Sequence, residues 1–112
     1  MGLSDSIRKQ HMLDAIDEAL SFASGKTRTG LDADRMLVLS LIKEIEIIGE
    51  AASKISENYK ANFSEVPWTD IVGMRNRLIH GYFEVDLNIL WNTIAKDLPY
   101  LKKKLQEIRD AQ

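Results

Sequence analysis

The run from Asp34 to Asn58 constrains this chain more than any other stretch. Val38, Leu41, Ile45, Ile48, Ala52 and Ile55 recur three and four residues apart, the spacing at which side chains share one face of an α-helix. A second stripe, Leu37, Ile42, Ile47 and Ala51, widens the apolar arc beyond that of a simple amphipathic helix. A helix apolar on two sides needs two partners. One is the domain's own core; the other is expected to be a second copy of the chain. Gly49 in mid-helix costs roughly 1 kcal/mol relative to alanine, which points to a close approach by another helix.

The remaining segments are also helical in pattern. The first helix starts near Ser4 or Asp5, either of which can cap exposed amides, and carries Met12, Ile16, Ala19, Leu20 and Ala23 on one face. Gly25 and Gly30 bracket the polar turn that ends it. Residues 58–66 read as a loop anchored by Phe63 and Val66. Pro67 suits the first turn of a third helix, which is expected to run to about Gly81. Asp86 can cap a fourth, in which Leu87, Trp91, Ile94, Leu98, Leu101, Leu105 and Ile108 form the seam and Pro99 is expected to place a kink. Four helices with short connections predict an all-α, antiparallel four-helix bundle. At 112 residues, a single domain over 1–112 is expected.

Composition narrows the chemistry. With no cysteine, neither a disulfide framework nor a thiolate metal site is open to the chain. No apolar run approaches the ~20 residues of a membrane span. Met1 to Gln10 is too polar for a signal peptide, so a cytoplasmic protein is expected. Fifteen basic against 17 acidic residues leave a net charge of −2. That balance argues against a broad nucleic-acid-coating surface. A nuclease of this composition must gather positive charge locally, at Arg75 and Arg77 or at Lys102 to Lys104, although a lysine run of that kind is more often a solvated face.

The chemistry-bearing residues concentrate between Gly73 and Phe83. Arg75, Asn76, Arg77, His80 and Tyr82 fall within eight residues. On a continuous helix Asn76 and His80, four apart, share a face at ~40°, and Arg77 lies ~60° to the other side of His80. Arg75 is swung round by ~140° and serves either by reach or in a site built with a neighbouring molecule. The other histidine, His11, reads as a solvent-facing residue of the first helix, and Trp68 and Trp91 read as core. No Asp/Glu/His set has metal-ligand spacing, and no cofactor is indicated.

Arg75, four residues, His80, one residue, Tyr82 resembles the signature of the HEPN ribonucleases, and among them the HepT toxins of prokaryotic toxin–antitoxin pairs. Glu46 to Ala52, Pro67-Trp68, Val85-Asp86-Leu87 and Asp97-Leu98-Pro99 fit as well, so the resemblance spans nearly the whole chain. It implies a HEPN-like bundle that dimerises and cleaves RNA without a metal ion. The residues suit that chemistry. Imidazole, with an ordinary pKa near 6.5, can take the proton of an RNA 2′-hydroxyl, the role expected of His80. A guanidinium matches the charge that builds on the phosphate, the role expected of Arg75. Asn76 would hold the phosphate or orient the imidazole, and Arg77 is a further substrate-binding candidate. The resemblance also implies control by a cognate minimal nucleotidyltransferase antitoxin (MntA-like) that adenylylates Tyr82, placing an anionic AMP beside His80. The competing reading is a non-catalytic helical module for dimerisation or nucleotide binding. Arg75 and Arg77 would then only pair with acids such as Glu44, Glu46 or Glu50, and Tyr82-Phe83 would be core aromatics.

Overall fold

The computed structural model describes residues 4–80 and 84–110. Helix α1 spans Asp5–Ala23, a 3-10 turn spans Thr29–Ala33, and α2 spans Arg35–Ser53. A short α3, Glu57–Asn62, precedes α4, Trp68–Leu78. Strands β1, Ile79–His80, and β2, Glu84–Val85, form a minimal antiparallel pair. Helix α5, Leu87–Asn92, runs through a π turn, Thr93–Asp97, into α6, Leu98–Gln106. The architecture is all-α, with α1, α2, α4 and the α5–α6 rod surrounding the core and α3 as an addition.

Each start has a local cause. Ser4, Asp34, Ser56 and Asp86 accept hydrogen bonds from the amides of Ile7, Leu37, Tyr59 and Ile89, satisfying donors that an open helix end leaves unpaired. The Ser56 cap overturns two expectations. It ends α2 at Ser53 instead of Asn58, and it turns part of the expected 58–66 loop into α3. Asp5 fixes that cap from a distance, accepting from both the amide and the hydroxyl of Ser56 at 2.8 and 2.7 Å. Phe63 and Val66 do anchor the segment. Val66 is buried, and Phe63 packs on Tyr59 with ring centroids 4.8 Å apart.

The core places the α2 seam, Val38 to Ile55, against Met12, Ile16 and Ala19 of α1 and Ile71, Met74 and Leu78 of α4. Both partners of α2 therefore come from within one chain. Of the second stripe, Leu37, Ile42 and Ala51 are buried in this way, and only Ile47 stays exposed. The apolar side chains left uncovered on α2 are instead Met36, Leu39 and Ile47. Gly49 lies at the crossing with α4: a Cβ there would stand 3.5 Å from the Ile71 carbonyl oxygen and 3.7 Å from that of Val72. That is the close approach its position suggested.

At Pro99 the regular α-helical ladder is interrupted. The π turn precedes the proline, with the Leu98 amide donating to the Thr93 carbonyl, and Pro99 then sits in the first turn of α6, where its missing donor is harmless. The C-terminal end is tied back by Asp110, which accepts from Tyr59 Oη at 2.7 Å and pairs with Lys9 of α1. Against the push of burial, those two bonds hold the Asp110 carboxyl below the usual carboxylate range.

Among the described residues, one carboxylic acid is set into the core. Glu44 of α2 is only 3% exposed, and its Oε2 has no hydrogen-bond partner among the described residues. Burial, then the hydrogen bonding and charge of Glu18 on α1, push its carboxyl up to about 7.

Candidate active site

The motif does not lie on one helix. Helix α4 stops at Leu78, Ile79 is extended (φ −109°, ψ 121°), and His80 belongs to β1, opposite Glu84. The β-branched Ile79 pairs with Val85, and the Asp86 amide donates to the Leu78 carbonyl at 2.7 Å, where a continuing helix would have bonded. The expected helical face shared by Asn76 and His80 is therefore absent, and with it the angular argument placing Arg75 at ~140° from His80.

His80 projects from β1 with its side chain 59% exposed, and Nε2 lies 3.7 Å from Asp86 Oδ2. That is too long for a hydrogen bond, yet close enough for an imidazolium to pair with the carboxylate. Asp86 serves three elements at once: its amide closes α4, Oδ1 caps α5 through the Ile89 amide at 3.0 Å, and Oδ2 faces His80.

Arg75 and Asn76, in the last turn of α4 just before His80, line an open groove of about 620 Å³ between α1, α2 and α4. Arg75 Nε donates to Glu46 Oε2 at 3.0 Å, with both side chains partly exposed. This settles which of the candidate acids Arg75 meets: Glu46, while Glu44 is buried and Glu50 pairs with Lys54 at 3.2 Å. Arg77 is ~200° round the helix from Arg75 and lines a separate cavity with Asp70, Asp97 and Tyr100. One of its terminal nitrogens would lie 3.5 Å from a Cβ at Gly73. Tyr82 lies outside the described residues.

The groove also contains residues that the motif did not indicate. His11 and Arg8 of α1 form part of its lining, as do Lys43 of α2 and Lys54 just past its end. Their signal was present in the numbering, since 8 and 11 are three apart and 43 precedes 46 by three, so each pair shares a helix face. The lysine run near the C-terminus behaves as a solvated face, with Lys102 paired to Asp17 and Lys104 to Glu107. Trp68 is buried, and Trp91 packs on the core. Among the described residues, no group of three or more acidic or histidine side chains is placed to hold an ion.

This arrangement, a guanidinium and an amide in an open groove with an exposed imidazole beyond the helix end, coincides with a sequence match. A model of the family described as Ribonuclease HepT-like covers residues 12–108. The chain belongs to the HepT-like ribonuclease family. It is 41% identical over 76 residues to a protein from Thermococcus cleftensis named as a probable ribonuclease HepT, covering 68% of this chain and 69% of the relative. It is 35% identical over 99 residues to a provisionally named RNase of Caldanaerobacter subterraneus subsp. tengcongensis, covering 88% of each chain. A provisionally named RNase of Methanocaldococcus jannaschii is 33% identical over 95 residues, with 85% of this chain and 87% of that one covered. No solved structure gives a significant match. Membership of the HepT-like family brings the HEPN type of helical fold, in keeping with the bundle observed here.

Proposed function

We propose that this HepT-like chain is a metal-independent endoribonuclease and the toxin of a type VII-like toxin–antitoxin pair in the cytoplasm. The observation that carries the reading is the open groove lined by Arg75 and Asn76, with His80 exposed just beyond the end of the same helix. In the proposed reaction His80 removes the proton of a 2′-hydroxyl, and the oxygen attacks the adjacent phosphorus. The bond from phosphorus to the 5′-oxygen breaks, and that oxygen leaves as a hydroxyl after taking a proton. The products are a 2′,3′-cyclic phosphate and a 5′-hydroxyl end. Arg75 neutralises the developing phosphate charge, and Asn76 holds a phosphate oxygen. Nothing in this sequence of steps requires an ion.

The protein acts, on this reading, as a homodimer. Met36 (81% exposed) and Leu39 on α2 supply uncovered apolar surface suited to a second copy. Control falls to an MntA-like nucleotidyltransferase that adenylylates Tyr82, so that AMP repels incoming RNA phosphate.

Purified protein incubated with total RNA and EDTA tests the reading. Cleavage that survives chelation and leaves cyclic phosphate ends is expected, and a 2′-deoxy sugar at the cut site should block it. Chelator-sensitive cleavage would overturn the mechanism, and no cleavage at all would favour the non-catalytic module. Mass spectrometry of toxin co-expressed with its antitoxin should find AMP on Tyr82 and none on Tyr82→Phe.

A further inference from the structure

The groove beside Arg75 carries a charge pattern at odds with the acidic chain as a whole. Four cationic side chains, Arg8, Lys43, Lys54 and Arg75, line it against two carboxylates, Glu46 and Glu50. Both carboxylates are engaged, Glu46 by Arg75 and Glu50 by Lys54. Arg8 and Lys43 have no ion-pair or hydrogen-bond partner among the described residues, although acidic residues outnumber basic ones in the chain. They stand on different helices, α1 and α2, so folding has brought two uncommitted positive charges to the groove that contains Arg75 and Asn76. His11, three residues on from Arg8, adds a polar ring to the α1 wall, and Ile47 and Val72 contribute exposed apolar surface.

We propose that this groove seats the sugar–phosphate backbone of single-stranded RNA, with Arg8 and Lys43 as its phosphate-contacting positioning residues. The inference rests on the ribonuclease reading and says where the substrate lies within it. Unpartnered cations attract phosphate and release its condensed counterions on binding. Apolar surface between them suits the unstacked face of a base, which a strand offers and a duplex hides. The groove thus supplies the local positive charge that an acidic nuclease needs. Arg8 and Lys43 set where the strand lies, while the reaction itself is left to His80, Arg75 and Asn76.

The test uses a short, unstructured, fluorescein-labelled RNA and full-length protein carrying His80→Ala to prevent cutting. Anisotropy gives Kd across a salt series. In that background Arg8→Gln with Lys43→Gln should raise Kd roughly ten-fold at low salt and flatten the slope of log Kd against log salt by about 1.4, ~0.7 for each contact. Lys103→Gln, an exposed change outside the groove, should leave both unchanged. With His80 intact, the double variant should raise KM and spare kcat. The single changes Arg8→Gln and Lys43→Glu repeat the measurement if the double variant folds poorly. An unaltered Kd and slope in a protein whose His80-intact parent still cuts RNA would overturn the groove assignment alone. A parent that neither binds nor cuts RNA would remove the ribonuclease reading with it. Variants that change the molar mass in light scattering but not the salt slope would make the groove an interface between copies, which also overturns the proposal.

Discussion

Arg75 donates its Nε hydrogen to Glu46 Oε2 at 3.0 Å, so the guanidinium assigned to the phosphate already has an anionic partner. Substrate must compete with that carboxylate. Because both side chains are partly exposed, the pair is worth only about 0–1 kcal/mol to the fold. Glu46→Gln should therefore leave the melting temperature nearly unchanged, lower KM for RNA several-fold and steepen its salt dependence. Kinetics across a salt series check this, and a raised KM would make Glu46 a support for Arg75 instead of a competitor.

His80→Ala should abolish cleavage and growth inhibition in a protein that still folds. The side chain is largely exposed and makes no hydrogen bond to the described residues, whereas loss of a general base costs roughly 10²- to 10⁴-fold. Undiminished cutting by a folded variant would remove the assigned role.

Asp86 separates into two functions by substitution. Asp86→Ala removes the cap on Ile89 and should destabilise the protein by about 0.5–2 kcal/mol. Asp86→Asn keeps a capping oxygen and discards only the charge facing His80. It should melt like the parent yet cleave more slowly, by less than the roughly 10²-fold lower bound for loss of the base itself. Paired melting curves and cleavage rates distinguish the two effects.

Glu44 makes stability fall as pH rises. Its carboxyl is pushed up from 4.5 to about 7 in the folded protein, so between those values the native state holds a proton that the unfolded chain has released. The stabilisation is complete below about 4.5 and lost as pH passes through 7. Melting temperatures measured from pH 4.5 to 8 should show this decline. Glu44→Gln should flatten it, because the amide carries no proton to lose.

Gly49→Ala fits the α2–α4 crossing, because 3.5 Å to the Ile71 oxygen is ordinary contact, and it should stabilise the helix by up to about 1 kcal/mol. Gly49→Leu should destabilise by about 1–3 kcal/mol through overpacking. Denaturant midpoints for the two variants should move in opposite directions.

The helical core was legible in sequence because apolar spacing and capping residues are local signals. Val38 to Ile55, Gly49 and the caps at Ser4 and Asp86 all act within a turn or two of themselves. The end of α4 was not legible. It depends on Ile79 and His80 finding Val85 and Glu84, and a two-residue strand leaves no periodicity to read. The break at Ser56 was missed for a related reason: the stripe continues through Ile55, and Asp5, which secures the cap, lies 51 residues away. Of the site, the residue types were visible and their grouping was not. Arg8, His11 and Lys43 join Arg75 only when α1 and α2 pack side by side.

The π turn at Thr93–Asp97 has a consequence for chain length. Buried Leu90, Ile94 and Leu98 follow one another at four and four, and eight α-helical residues would rotate ~80° beyond two full turns. The wider turn absorbs that excess and returns Leu98, Leu101 and Leu105 to the core. The rod is, in effect, one residue longer than its seam requires. A deletion of exposed Ala95 or Lys96 would convert this stretch to ordinary helix and keep the downstream leucines facing inward, so a codon can be lost here with the fold retained. The same loss between Leu41 and Ile48 would turn every later core residue of α2 by ~100° and take the groove apart with it.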